Sequence, residues 1–261
     1  MPTTLTFDMP HPGTMLLTLN RSERLNALNE VMVRDLFEAC ATIESDRSVR
    51  VVVLTGAGRG FCSGLDLRDF GESARVALDN DIERLRFQEN MGSLPQALRA
   101  LPQPVIAAVN GPAVGAGLAL CLGTDLRICS TSASFGNAAI LIGLSGAEMG
   151  MSYHLPRIVG TSVAADWMLT GRTVSSEEAF QRGLVSERVE GDRLRERALE
   201  LAQHIGAHSP LAVEMTKRAL QANTDSPSLA AALEIENRNQ LITGVSEEAA
   251  AARAKWSKGM P

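Results

Sequence analysis

The sequence predicts an α/β protein with a mainly parallel sheet and a helical C-terminal arm. Three observations carry that prediction. Residues 49–55 (VRVVVLT) and 104–109 (PVIAAV) are near-continuous apolar runs, the pattern of strands buried on both faces. A long stretch of helical periodicity lies between them, as a crossover between parallel strands requires. After about residue 195 strand signals stop and only helical patterns follow.

Taken in order, residues 14–20 (TMLLTLN) read as the first strand. Asn29 stands at a helix N-cap position ahead of the amphipathic run 31–43. The strand at 49–55 empties into a glycine-rich loop, 56–64 (GAGRGFCSG). Helical periodicity over 75–101 stops at Pro102 and Pro104, and the strand at 104–109 turns at Asn110-Gly111-Pro112. Residues 113–122 read as a helix whose first turn is almost bare of side chains, and 125–129 as a third strand. The C-terminal arm reads as helices over 199–205, 210–222, 228–243 and 246–256. The expected division is a core over 1–195 and a helical region over 196–261.

Composition narrows the function. The 261 residues are 45% hydrophobic and 21% charged, with aromatics at 4%, so the core is built from aliphatic side chains. A net charge of −5 argues against nucleic acid as a partner, while leaving room for a polyanionic small ligand. The four cysteines, at 40, 62, 121 and 129, form no CxxC pair and no metal-like spacing, so a reduced compartment and no metal are expected. Residues 1–19 lack a basic segment followed by an apolar one, and no apolar stretch is long enough to span a bilayer. A cytoplasmic protein with no membrane partner is the expectation.

Two glycine-rich segments carry the chemistry. The loop at 56–64 is not a dinucleotide fingerprint, because GxGxxG would need glycine where Phe61 stands. Gly64 is different: it lies just past a buried strand end, where ligands of open α/β sheets gather. The second segment, 110–117 (NGPAVGAG), leaves backbone N–H groups accessible at a helix start, which favours negative charge; close packing of helix on sheet would use the same small residues. Together the two can present paired donors to an oxyanion.

These and further stretches resemble the crotonase superfamily, the enoyl-CoA hydratases and isomerases. They are 24–29 (RLNALN), 53–58 (VLTGAG), 61–67 (FCSGLDL), 108–117 (AVNGPAVGAG), 125–128 (DLRI), Phe135-Gly136, 155–160 (LPRIVG), 169–171 (LTG), Glu178-Ala179 and 183–185 (GLV). In order and spacing they cover nearly the whole chain. The resemblance implies a spiral core of ββα turns, a C-terminal trimerisation region, a homotrimer or homohexamer, and an acyl-CoA thioester as ligand with no other cofactor. It places oxyanion donors at the backbone N–H groups of Leu65 and Ala116, next to Gly64 and Gly115. It maps Arg24, Leu25, Ala27, Ser63, Asp66 and Leu67 onto the groove for adenine and pantetheine, and Arg68 near the CoA phosphates. Phosphates favour charge-assisted donors, in agreement for Arg24 and Arg68.

The chain departs from the hydratase pattern at two positions. Where the resemblance places the two hydratase glutamates, this sequence has Ala119 and Ala139. Alanine transfers no proton, so the two-glutamate hydration mechanism is not expected, and both alanines are expected to widen the substrate pocket. Glu148, in the segment 143–153 (GLSGAEMGMSY), falls where dienoyl-CoA isomerases and 4-chlorobenzoyl-CoA dehalogenases carry an aspartate. It is the candidate single acid/base, and the competing reading is a carboxylate capping a helix. One acid suits double-bond isomerisation better than hydration. A non-catalytic acyl-CoA binder and an acyl-CoA hydrolase or thioesterase on the same fold are the alternatives. His154, Tyr153 and Cys62 are weaker candidates for the pocket.

Overall fold

The computed structural model describes residues 3–69, 80–257 and 259. The chain runs through β1 (Leu5–His11), β2 (Thr14–Leu19), α1 (Glu30–Ser45), β3 (Val51–Gly56), α2 (Asp81–Ala100), β4 (Val105–Val109), β5 (Pro112–Val114) and α3 (Ala116–Leu122). It continues with β6 (Leu126–Ser130), β7 (Ser134–Gly136), α4 (Met151–Val159), α5 (Thr161–Thr170), β8 (Val174–Ser175), α6 (Ser176–Gln181) and β9 (Glu187–Val189). Four helices close it: α7 (Leu194–Gly206), α8 (Pro210–Asn223), α9 (Leu229–Gly244) and α10 (Glu247–Trp256).

The main sheet has the order β1-β2-β3-β4-β6-β9, antiparallel between β1 and β2 and parallel thereafter. Strand periodicity explains its two apolar faces. Val52 and Leu54 of β3, with Val105 and Ala107 of β4, join the large core containing α1, α2 and α3. Val51, Val53, Ile106 and Ala108 point the other way, onto Leu194, Ala198 and Ala202 of α7. Each such valine or leucine contributes about 1.5–3 kcal/mol by leaving water. The expected division at residue 195 therefore falls inside a helix that covers one face of the sheet. A smaller sheet, β5-β7-β8, sits beside the first.

Several boundaries differ from the sequence expectation. β1 carries no apolar periodicity because only Leu5 of its seven residues is buried. The helix expected from residue 113 begins at Ala116, since 112–114 pair as β5 with β7. The helix expected over 75–101 is observed as Asp81–Ala100, capped by Asn80 Oδ1 accepting from Ile82 N at 2.8 Å; residues 75–79 lie outside the described residues. Asn29 caps α1 as expected, accepting from Met32 N at 3.0 Å. In the arm, Lys217 is the one buried residue of α8, and α9 and α10 bury none.

Candidate active site

The site is built where β3 and β4 end. Asn110 ties the two ends together, accepting from Gly56 N and donating to the carbonyls of Gly58 and Gly60. Asn26 does the same from the other side. It is fully buried, donates to Ala57 O and Gly60 O, and accepts from Arg21 N. Gly56 is obligatory inside this knot, because a Cβ there would lie 2.2 Å from Gly60 O. Neither asparagine stands out as a site residue in the sequence: Asn110 precedes Gly111 and reads as a turn, and Asn26, between Leu25 and Ala27, carries no local signal.

The loop then pairs with β5. Cys62 N donates to Pro112 O, and Val114 N donates back to Cys62 O. Gly64 has φ +99°, and its carbonyl accepts from Leu28 N while Asp66 N donates to Leu28 O. That bridge uses the Gly64 carbonyl and the Asp66 N–H, and the Leu65 N–H, trans to the Gly64 carbonyl in the same peptide group, points the opposite way. Gly115 has φ +53° and ψ −121° and donates to Gly136 O, which starts α3 at Ala116. Among the described residues, neither the Leu65 nor the Ala116 N–H donates to a protein acceptor. The two segments approach closely: a Cβ on Gly64 would sit 3.7 Å from Ala116 N, and one on Gly117 would sit 2.1 Å from Cys62 O.

Both amides border a cavity of about 140 Å³. Its floor and walls include Ser63, Gly64, Val114, Gly115, Ala138 and Ala139, with Leu67, Phe87, Met91, Ile142, Leu144 and Met149 supplying apolar surface. Among the described residues lining it, Glu148 is the only ionisable one and Gln88 the only amide side chain. The position of a Cβ on Gly115 lies 3.8 Å from Glu148 Oε1, which puts the carboxylate close to the Ala116 amide. No described group hydrogen-bonds that carboxylate, and burial pushes its pKa above the usual range.

The helix-cap reading of Glu148 fails on geometry. The N-cap of α4 is Gly150, and no side chain caps it; Glu148 contributes only its carbonyl, accepting from Met151 N at 2.8 Å. Met149 and Gly150 both have positive φ, at 47° and 81°. A left-handed methionine costs on the order of 1 kcal/mol, a strain typical of residues that aim a functional group.

The other sequence candidates sort themselves by position. Ala139 lines the cavity, but Ala119 does not: all seven residues of α3 are buried, and Ala119 packs wholly within the core. It therefore does not widen the pocket as expected. Cys62 is fully buried, which pushes its thiol up to about 12 and removes it as a nucleophile. Tyr153 donates to Asp225 and lies under the Arg157 guanidinium, away from Glu148's cavity. His154 also faces a different cavity.

Arg24, Leu25, Ala27, Asp66 and Arg68 lie outside the 140 Å³ cavity but are tied to its edge, with Ser63 N donating to Leu25 O. Asp66 is buried and paired to Arg21 at 3.0 Å and Arg24 at 3.2 Å, and it accepts from the amides of Arg68 and Asp69. Burial alone would raise its pKa, but Arg21, these two amides and the Arg24 charge outweigh it and hold the carboxyl below its ordinary value. Asp66 is thus an anchor for the two arginines, and Arg21 is a member of the cluster that sequence reading passed over. Leu67 and Arg68 remain exposed.

The sequence pattern of the enoyl-CoA hydratase/isomerase family matches residues 11–257. The chain belongs to that family. The hydratase/isomerase fold is seen in a crystal structure of an enoyl-CoA hydratase from Bacillus anthracis, which superposes with a TM-score of 0.90 at 30% identity, over 98% of this chain and 96% of that one. Among curated relatives, the probable enoyl-CoA hydratase echA12 of Mycobacterium leprae is 46% identical over 249 residues, 94% of this chain and 85% of the relative. The 1,2-epoxyphenylacetyl-CoA isomerase of Escherichia coli is 37% identical over 237 residues, 90% of this chain and 88% of the relative. The family reading makes this an acyl-CoA enzyme. No helix among the described residues is long and apolar enough to cross a membrane.

Asp66→Asn tests the anchoring role. The variant loses the charge between Arg21 and Arg24 and is expected to cost about 2 kcal/mol of stability. Because the native carboxyl is held below its ordinary value of 3.8, its stabilisation is present above that pH and lost as pH falls through the lowered pKa. Thermal melts from pH 7 to pH 3 should show the parent losing part of its advantage over the variant.

Proposed function

We propose that the chain moves a proton on the acyl group of a CoA thioester, with Glu148 as its single acid/base. The observation that carries this is the meeting, in one largely apolar cavity, of one ionisable side chain with two unengaged backbone donors. The thioester oxygen accepts from the Leu65 and Ala116 amides. Glu148 takes a proton from the α or γ carbon, and the electron pair moves onto the oxygen as an enolate. The same carboxylic acid returns the proton to the other carbon, so the double bond shifts with no net change in composition. A buried carboxylate with a raised pKa suits both halves of that transfer.

Isomerisation is favoured over hydration because the remaining polar side chains lining the cavity, Ser63 and Gln88, are neutral and neither is a general acid at neutral pH. In this reading CoA lies along Arg24, Leu25, Ala27, Ser63 and Leu67, with Arg68 near its phosphates and Asp66 holding Arg24 in place. No further cofactor or metal is required. Saturated, 2-enoyl, 3-enoyl and dienoyl-CoAs of several lengths test the reaction class. A shifted double bond, followed by mass spectrometry and ultraviolet absorbance, supports it. Release of free CoA or addition of water across the panel overturns it.

We propose further that the chain works in the cytoplasm as a homotrimer or homohexamer, and exposed apolar residues of the arm support the assembly. Leu229, Leu241, Val245 and Trp256 are all more than 70% exposed, at 76%, 74%, 86% and 76%. Apolar surface of that kind is buried between subunits when it serves assembly. Light scattering is expected to give three or six chain masses, and a monomer at micromolar concentration would exclude this arrangement.

A further inference from the structure

A second and larger cavity, about 640 Å³, lies between α8 and the starts of β4 and β6, with walls from α2 and α4. Four cationic side chains line it, Arg99, Arg127, Arg157 and Lys217, against one carboxylate, Asp125. Two of the four are neutralised by ion pairs: Lys217 with Asp125 at 2.7 Å, and Arg157 with Asp225 at 3.0 Å. The other two are not. Arg127 gives Nε and Nη1 to the carbonyls of Leu184 and Thr124, both at 2.8 Å, which satisfies donors without cancelling charge. Arg99 has no ion pair, and its guanidinium has no hydrogen-bond acceptor, among the described residues.

The two cations without an ion pair act on what surrounds them. Burial, with Arg99 adding to it, pulls the Arg127 pKa below its ordinary value, against the opposing pull of Cys121 and Asp125. Burial and the charges of Arg99, Arg127 and Arg157 drive His154 down to about 4, so it adds no proton to the crowd at neutral pH. Both residues are half-buried, and an anion that accepts charge-assisted hydrogen bonds is stabilised by two guanidiniums lining one cavity. Ile158, Val213 and Leu220 on the same walls provide apolar surface beside the two guanidiniums.

We propose that this cavity binds a small amphipathic anion, its carboxylate or phosphate head held by Arg99 and Arg127 and its short apolar tail against Ile158, Val213 and Leu220. It is separate from the Glu148 cavity, with which it shares no lining residue. The same helix reaches both, because α2 carries Met91 in one and Arg99 in the other, about 12 Å apart along its axis.

Calorimetric titration of the full-length protein with octanoate and with octyl phosphate tests the proposal. Saturable binding of one molecule per chain is expected for at least one of them, and the tighter of the two identifies the head group. Arg99→Met keeps the aliphatic stem and removes the charge, and is expected to weaken binding at least tenfold. Val213→Phe fills the cavity without touching charge and is expected to weaken it comparably, so the result does not rest on one variant. Failure of both ligands to bind at millimolar concentration would overturn the site, as would binding that both variants leave unchanged. The first of those outcomes is also what a second copy's carboxylate seated in the cavity would produce.

Discussion

Turnover of Glu148→Gln falls by ~10²–10⁴-fold, the span that one positioned acid/base contributes. Acyl-CoA binding survives, because glutamine keeps the size of the side chain and the Leu65 and Ala116 donors remain in place. Stopped substrate conversion with preserved binding, read by mass spectrometry and calorimetry on the same preparation, is the expected pair of results. Unchanged turnover on the true substrate would remove Glu148 from the mechanism.

The same substitution has a stability signature of opposite sign. Burial raises the Glu148 pKa above 4.5, so the folded protein disfavours the carboxylate that the unfolded chain carries freely. Below 4.5 both states hold the proton and the penalty vanishes. It grows as pH rises through the raised pKa and is complete above it. Glu148→Gln should therefore melt higher than the parent at pH 7–8, with the gap closing toward pH 4. A variant that is more stable and inactive is the mark of a strained, functional carboxylate.

Gly117→Ala is the second large effect, and it comes from backbone rather than chemistry. A Cβ there would lie 2.1 Å from Cys62 O and 2.8 Å from Cys62 C, both backbone atoms that cannot rotate away. The start of α3 must move off the 61–65 loop, and the two amides separate. A loss of ~10²–10³-fold in kcat, as when one oxyanion donor is removed, is expected together with about 1–3 kcal/mol of stability. Gly92→Ala is the control: it lies in α2 with nothing within 4 Å of the added Cβ. There the change is neutral or stabilising by up to about 1 kcal/mol. Equal losses in both variants would mean that the Gly117 contact does not hold the site.

Much of this was legible in the residues. The parallel strands announce themselves because both of their faces are buried, so residues 51–54 and 105–109 are apolar without interruption. The cap at Asn29 is a local signal and appears where expected. β1 left no trace because four of its seven residues are exposed, and short β5 was hidden inside an apparent helix start. Glu148 could be named from its isolation in a glycine-rich segment, but its two readings could not be separated there. The tertiary structure separates them: Gly150 is the N-cap of α4, and Glu148 offers Met151 N its carbonyl and not its carboxylate.

The sequence by itself determined the strand–helix alternation, the family, and the residue types available for chemistry, because each is written in local pattern. Only the tertiary structure decided which of those residues meet. It brought Leu65 from one strand end and Ala116 from another to the edge of one cavity, and sent Ala119 and Cys62 into the core. It made Asp66 an anchor for Arg21 and Arg24, and gathered Arg99 and Arg127 in one cavity with no ion pair of their own among the described residues. The physical reason is common to all of these: a close approach between segments far apart in the chain is set by what must be buried and paired, and neither condition shows in a run of neighbouring residues.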